Sequence, residues 1–158
     1  MAIYMKFGKI DGNVTTEGFL KWIELHSFQF GVSRGVSSGA GGATRESSAP
    51  SISEIVITKQ FDTSSAKLYQ DSVAGTFDTK VEIKMTTTTK NKVETFLTYE
   101  LKDCGVSGYS LSSGGDNPSE SLSLNFTHIM MTPTPLDISG QVKKGDVVSY
   151  DLLGMKTS

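Results

Sequence analysis

Two alternating runs around one polar turn constrain this chain more than any other feature. Leu97, Tyr99 and Leu101 interleave with Thr98, Glu100 and Lys102; farther on, Leu122, Leu124 and Phe126 interleave with Ser121, Ser123 and Asn125. A period of two puts each apolar set on one face of a pleated strand, so both runs predict antiparallel strands with one buried face. Between them Ser112 to Ser119 reads Ser-Ser-Gly-Gly-Asp-Asn-Pro-Ser. These residues tolerate turn dihedrals or bond their own backbone, and they predict a hairpin loop.

The same period recurs along the chain. Ile3, Met5 and Phe7 share a face near the N-terminus, Ile55 and Ile57 do so within Glu54 to Phe61, and Val81, Ile83 and Met85 alternate with Lys80, Glu82 and Lys84. Thr86 to Thr89 with Lys90-Asn91-Lys92 forms a polar hairpin tip, Thr132-Pro133-Thr134-Pro135 breaks the ladder, and Val147 to Leu153 gives a last short strand. Phe19 to Phe30 is read as one long strand with Phe28 and Phe30 towards the core and Ser27 and Gln29 away from it. One helix is expected. Asp62, Thr63 and Ser64 offer N-cap oxygens, Ala66, Tyr69 and Val73 make an apolar stripe, and Gly75 supplies the stop. At about three turns such a helix needs tertiary packing to persist. The sum is a mainly β fold: an antiparallel β-barrel of about eight or nine strands with one flanking α-helix, in a single domain spanning 1–158.

The segment Gly31 to Ser53 has a different character. Twelve of its 23 residues are Gly or Ser and no apolar period runs through it, so it is read as an extended loop at about 31–53. Loops of this length inside a small domain tend to be functional when they are not simply disordered. The end of the chain, Gly154 to Ser158, is expected to be loose.

Several function classes find little support. The net charge of −2 leaves no basic footprint for nucleic acid, and no apolar run is long enough to span a membrane as a helix. The alternation from Ile3 to Phe7 reads as a strand and not as a signal peptide. Cys104 is the sole cysteine, which rules out an intrachain disulfide, and His26 and His128 are too few and too separated for a metal site. Gly39, Gly41 and Gly42 lack the Gly-Lys-Ser/Thr ending of a phosphate loop, and no nucleophile elbow is present. Glu54 with Asp62, and Asp116 with Glu120, are read as turn and surface charges. No catalytic, metal or cofactor residues are assigned, and the chain is not read as an enzyme. Ser107, Ser110, Ser121, Ser123, Asn125 and Thr127 give the strands uncharged, hydroxyl-rich outer faces. So many strands in so short a chain leave edges, which a ring of subunits could use.

Three blocks of the central region carry a resemblance: Leu101-Lys102-Asp103, then Val106 to Ser110 (Val-Ser-Gly-Tyr-Ser), then Glu120 to Phe126 (Glu-Ser-Leu-Ser-Leu-Asn-Phe). Thr58-Lys59, Asp62, the run Ser64 to Leu68 and Gly75 extend it upstream. In order and spacing this set, from Ile3 to Tyr150, resembles the Hcp family (haemolysin-coregulated protein), the tube protein of bacterial type VI secretion. Cys104-Gly105 departs from it, because a second branched apolar residue often stands there. The resemblance implies a homohexameric ring, rings stacked into a tube propelled out of the cell, and effector cargo in the lumen. It also implies the spike protein VgrG and contractile sheath proteins as partners, with no nucleic acid and no membrane. The protein would be cytoplasmic when made and secreted without a signal peptide. Within that frame Ser27 and Gln29 are candidates for lumen and cargo contact. Arg34, Arg45 and Glu46 are candidates for contacts between stacked rings, made by an arm that orders when a second ring meets it. The alternative is a small β-barrel binding a ligand inside, and native mass separates the two.

Overall fold

The computed structural model describes residues 1–38, 45–47, 49–134, 147–154 and 156–157. Gly39, Gly41, Gly42 and Pro135 lie outside the described residues, as do the side chains of Arg45 and Glu46. The strands in chain order are β1 (Ala2–Phe7), β2 (Ile23–Leu25), β3 (Ser27–Gln29), β4 (Val32–Ser33), β5 (Val36–Ser38), β6 (Arg45–Ser47), β7 (Ser51–Ile52) and β8 (Ile55–Gln60). The helix α1 (Ser65–Ala74) follows, then β9 (Thr79–Thr89), β10 (Lys92–Ser112), β11 (Ser119–Asn125), β12 (His128–Pro133), β13 (Val148–Asp151) and β14 (Lys156–Thr157).

Every pairing is antiparallel, and the long β10 joins two sheets. Its first half lies between β9 and β12; its second half, from Gly105, pairs with β11. Sheet A therefore runs β2-β1-β9-β10-β12-β13-β14, and sheet B runs β10-β11-β8-β3. Irregularities at Leu101/Cys104 and Val106/Gly108, with Asp103 at φ 48°, let β10 turn the corner. At Cys104-Gly105 the chain keeps both ladders: Cys104 pairs with Thr79 and Gly105 with Asn125. At the opposite corner β2 pairs with β1 and β3 with β8, so the chain itself, through His26, links the two sheets there.

That corner explains a difference from the sequence expectation. Phe19 to Phe30 is not one strand. Gly18 and Lys21 take positive φ, and Lys21 and Trp22 bond back to Gly12 and Val14, which makes Phe19 to Trp22 a turn. Phe19 then stacks on Tyr4, with ring centroids 4.6 Å apart, and covers part of sheet A. His26 interrupts the remainder, donating its amide to Thr58 O as the chain passes from one sheet to the other.

The facing sides of the sheets form the core. Met5, Phe7, Val81, Ile83 and Leu101 from sheet A meet Ile55, Ile57, Leu122 and Leu124 from sheet B. Each such side chain stabilises the fold by about 1.5–3 kcal/mol. Phe28 and Phe30 pack against this cluster while Ser27 and Gln29 are exposed, the orientation the alternation predicts. The β9–β10 hairpin closes with Lys90 and Asn91, both at positive φ, as a two-residue turn of the type that matches strand twist.

Helix α1 begins and ends as expected but buries a different face. Its inward residues are Ser65 and Leu68, whereas Ala66, Tyr69 and Val73 are exposed. Asp62 caps it by accepting the Ser64 amide at 2.9 Å, and Ser64 makes no side-chain cap bond. Gly75, at φ 67°, donates to Asp71 O. The described residues between Gly31 and Ser53 form two short ladders: β4 pairs with β7 and β5 with β6, above a root where Ser53 and Gly31 exchange bonds of 2.9 Å. Near the C-terminus β14 pairs back on β13, with Lys156 opposite Asp151.

Candidate functional site

The outer side of sheet B is the feature on which function can be argued. Registers align a row of hydroxyls across four strands: Ser27, Thr58, Ser121 and Ser110. The next row is Gln29, Val56, Ser123 and Gly108. Ser27 and Thr58 hydroxyls hydrogen-bond at 2.5 Å, and Ser107 donates to Ser123 O at 3.2 Å and to the Glu54 carboxylate at the margin. Only two charged residues occur on β3, β8, β11 and the Gly105–Ser112 half of β10, namely Lys59 and Glu120, and both point inward. The outer wall of sheet B is thus polar, uncharged and built of short side chains.

Sheet A presents the opposite character. Lys6 faces Glu82, and Glu82 faces Glu100 across the ladder. Two like charges side by side repel; Lys80 lies 3.2 Å from Glu100 and 3.6 Å from Glu82 and offsets that repulsion. The hydrogen bond and charge of Glu100, with the charge of Glu82, hold the Lys80 ammonium above its usual range. Lys84 sits over the Trp22 ring, 5.3 Å from its centroid.

Beneath α1 lies a group that sequence reasoning misplaced. Glu120 is not a surface charge; it and Lys59 are fully buried, with Nζ and Oε1 2.7 Å apart. Lys59 also donates to Asp62 Oδ1 at 2.9 Å and to Gln60 O at 2.8 Å. Ser65 donates to Glu120 Oε1 at 2.6 Å, and the Tyr109 hydroxyl donates to the other carboxylate oxygen. Burial, then the Glu120 hydrogen bond and its charge, push the Tyr109 hydroxyl well above its usual range. A buried pair tolerates the loss of water only when its remaining donors and acceptors are satisfied, and here they are. Parity is the signal that reveals it: Lys59 shares a face with Ile55 and Ile57, and Glu120 with Leu122 and Leu124.

Of the residues singled out from sequence, Ser27 and Gln29 come together on the uncharged wall. Arg34 is exposed on the arm between β4 and β5, and the backbone of Arg45 and Glu46 pairs with Ser38 and Ser37 in its outer rung. His26 lines a polar cleft of about 240 Å³ with Asn13, Glu24, Gln60 and Asp62. Among the described residues no three His, Cys, Asp or Glu side chains gather as a metal site, and no helix is long and apolar enough to cross a membrane. Cys104 is buried, and desolvation together with the charge of Asp71 pushes its thiol up to about 12.

The family model described as "Type VI secretion system effector, Hcp" matches residues 4–132. The chain belongs to the Hcp family. No curated protein matches it by sequence. Its structure is similar to one solved as a type six secretion system protein, with a TM-score of 0.91 at 26% identity over 99% of each chain. Hcp1 from Salmonella typhimurium matches with a TM-score of 0.75 at 19% identity over the whole of both chains. The secreted protein Hcp3 from Pseudomonas aeruginosa matches at 0.61 and 20% identity, over 94% of this chain and 98% of that one. This Hcp protein is therefore a structural component of the type VI secretion tube, with the family's antiparallel β fold and one flanking helix. Among the described residues nothing favours a ligand-binding barrel, since the facing sides of the two sheets pack directly on one another.

Proposed function

We propose that six copies of this chain close into a ring, with sheet B lining the channel and sheet A facing out, and that rings stack into the tube. The observation that carries this reading is the contrast between the outer faces of the two sheets. A wall of Ser, Thr, Gln and Val side chains, with the Glu54 carboxylate only at its margin, offers little fixed charge to hold or repel a passenger. The charged face of sheet A suits contact with water and with the contractile sheath proteins. Ser27 and Gln29 would then touch effector cargo, and the spike protein VgrG would sit at the tip. The arm from Gly31 to Ser53 would reach the adjacent ring, with Arg34, Arg45 and Glu46 making polar contacts across the joint. The protein would be made in the cytoplasm and leave through the type VI apparatus without a signal peptide.

Gln29 gives a direct test. Gln29→Arg puts six bulky cations around one level of the channel while touching no core residue. The ring should remain, and co-purifying effector should be retained about tenfold less, equivalent to ~1.4 kcal/mol. Unchanged effector capture in a pull-down would remove Gln29 from the cargo wall.

A further inference from the structure

Thirteen large apolar side chains stand exposed among the described residues, and seven of them fall on two separate faces. The first face is built on α1. Tyr69 and Val73, 55% and 71% exposed, project from α1 because Ser65 and Leu68 take the inward side. Tyr69 meets the Tyr109 ring edge-on at 5.4 Å, and Leu111 lies two residues farther along the same side of β10. Phe77 extends the face where it lies against Gly105. The second face is a groove of about 260 Å³ between the arm root and β12–β13, lined by Phe30, Val32, Ile52, Met131, Val148 and Tyr150. Val32 and Val148 on its walls, with Val147 next to it, are exposed.

We propose that these two faces are the halves of the subunit joint: α1 of one copy, led by Tyr69 and Val73, seats in the arm-root groove of the next. The inference rests on the ring reading given above. A ring needs a heterologous contact, in which each subunit offers two different and complementary surfaces, whereas a two-fold dimer needs only one self-complementary patch. This chain carries two apolar surfaces of unlike build, one on a helix and one in a groove. They lie by opposite edges of β10: α1 contacts its second half on the side away from β11, and the groove borders the first half on the β12 side. A second copy therefore answers both surfaces at once. Exposed apolar side chains clustered in this way point to an interaction site.

Val73→Glu and Val148→Glu test the two halves separately, with Val32→Glu as a second groove variant. All three sites are exposed, so circular dichroism should match that of the parent chain, while the thermal midpoint should fall only by what ring contacts add. Each variant should lose the hexamer and sediment as a monomer. An equimolar mixture of Val73→Glu and Val148→Glu should form dimers and no rings, because one intact helix face and one intact groove remain. In addition, Val73→Cys with Val148→Cys in one chain should give an oxidised ladder up to the hexamer. The native Cys104 is buried and will not contribute. If the parent is a hexamer and the glutamate variants remain hexameric, the joint lies elsewhere while the ring stands. If the parent is a monomer, the ring reading itself fails. Loss of stacking with the ring intact would assign the helix face to a different partner and overturn the joint.

Discussion

Glu120→Ala is expected to lower the unfolding free energy by about 3–5 kcal/mol, because it leaves the Lys59 ammonium buried without its closest counter-charge. For a chain of this size that corresponds to a drop of about 6–20 °C in the thermal midpoint. The loss exceeds that of one hydrogen bond, since Ser65 and Tyr109 lose their acceptor at the same time. It should also reach the helix, because Ser65 opens α1 and Leu68 is the only apolar side chain that α1 fully buries. Lys59→Met combined with Glu120→Leu should recover most of the stability, because it removes both charges together. Denaturant titration followed by Trp22 fluorescence, at fixed protomer concentration, measures both. A single-variant loss below about 1 kcal/mol would mean that the network holds nothing in place.

The arm carries the second large effect. Replacing Gly35 to Ala49 with a brief Gly-Ser link should leave the ring and its thermal midpoint unchanged while abolishing tube growth and secretion. The cut spares the root, where β4 meets β7 and Gly31 bonds Ser53, and no residue of the core cluster lies within it. A two-stranded ladder such as β5–β6 is at best marginally stable by itself in water. Ordering each residue costs about 1–2 kcal/mol of backbone entropy, so partner contacts must offset that cost. Exposed ion pairs of Arg34, Arg45 or Glu46 would each add only about 0–1 kcal/mol. Repetition around a ring would still hold a joint that must later come apart. Long tubes formed by the shortened protein, seen by electron microscopy, would reduce the arm to a surface loop.

What the sequence made legible, and what it did not, divides along physical lines. Alternation placed Leu97, Tyr99 and Leu101, and later Leu122, Leu124 and Phe126, on the correct faces because burial on one side of a strand leaves a period of two. The same rule oriented Ser27 and Gln29 outward. The reading of Glu120 as a surface charge departs from that rule: its parity, like that of Lys59, points inward. The face of α1 was misread for a related reason: its anchors are Ser65, Leu68 and the Asp71 carboxylate accepting the Val106 amide, so the apolar stripe was free to face out. The break in Phe19 to Phe30 depends on which strand each half pairs with, and that is settled by Thr58 and Glu24 finding partners in different sheets. The uncharged wall needs registers across four strands, and no single run of sequence reveals it.

A ring-forming tube subunit differs from a lone barrel first of all in its mass in solution. Light scattering on the purified protein at micromolar concentration should give six times the protomer mass, with larger species as rings stack. A sample that stays at the mass of one chain under those conditions would contradict the account.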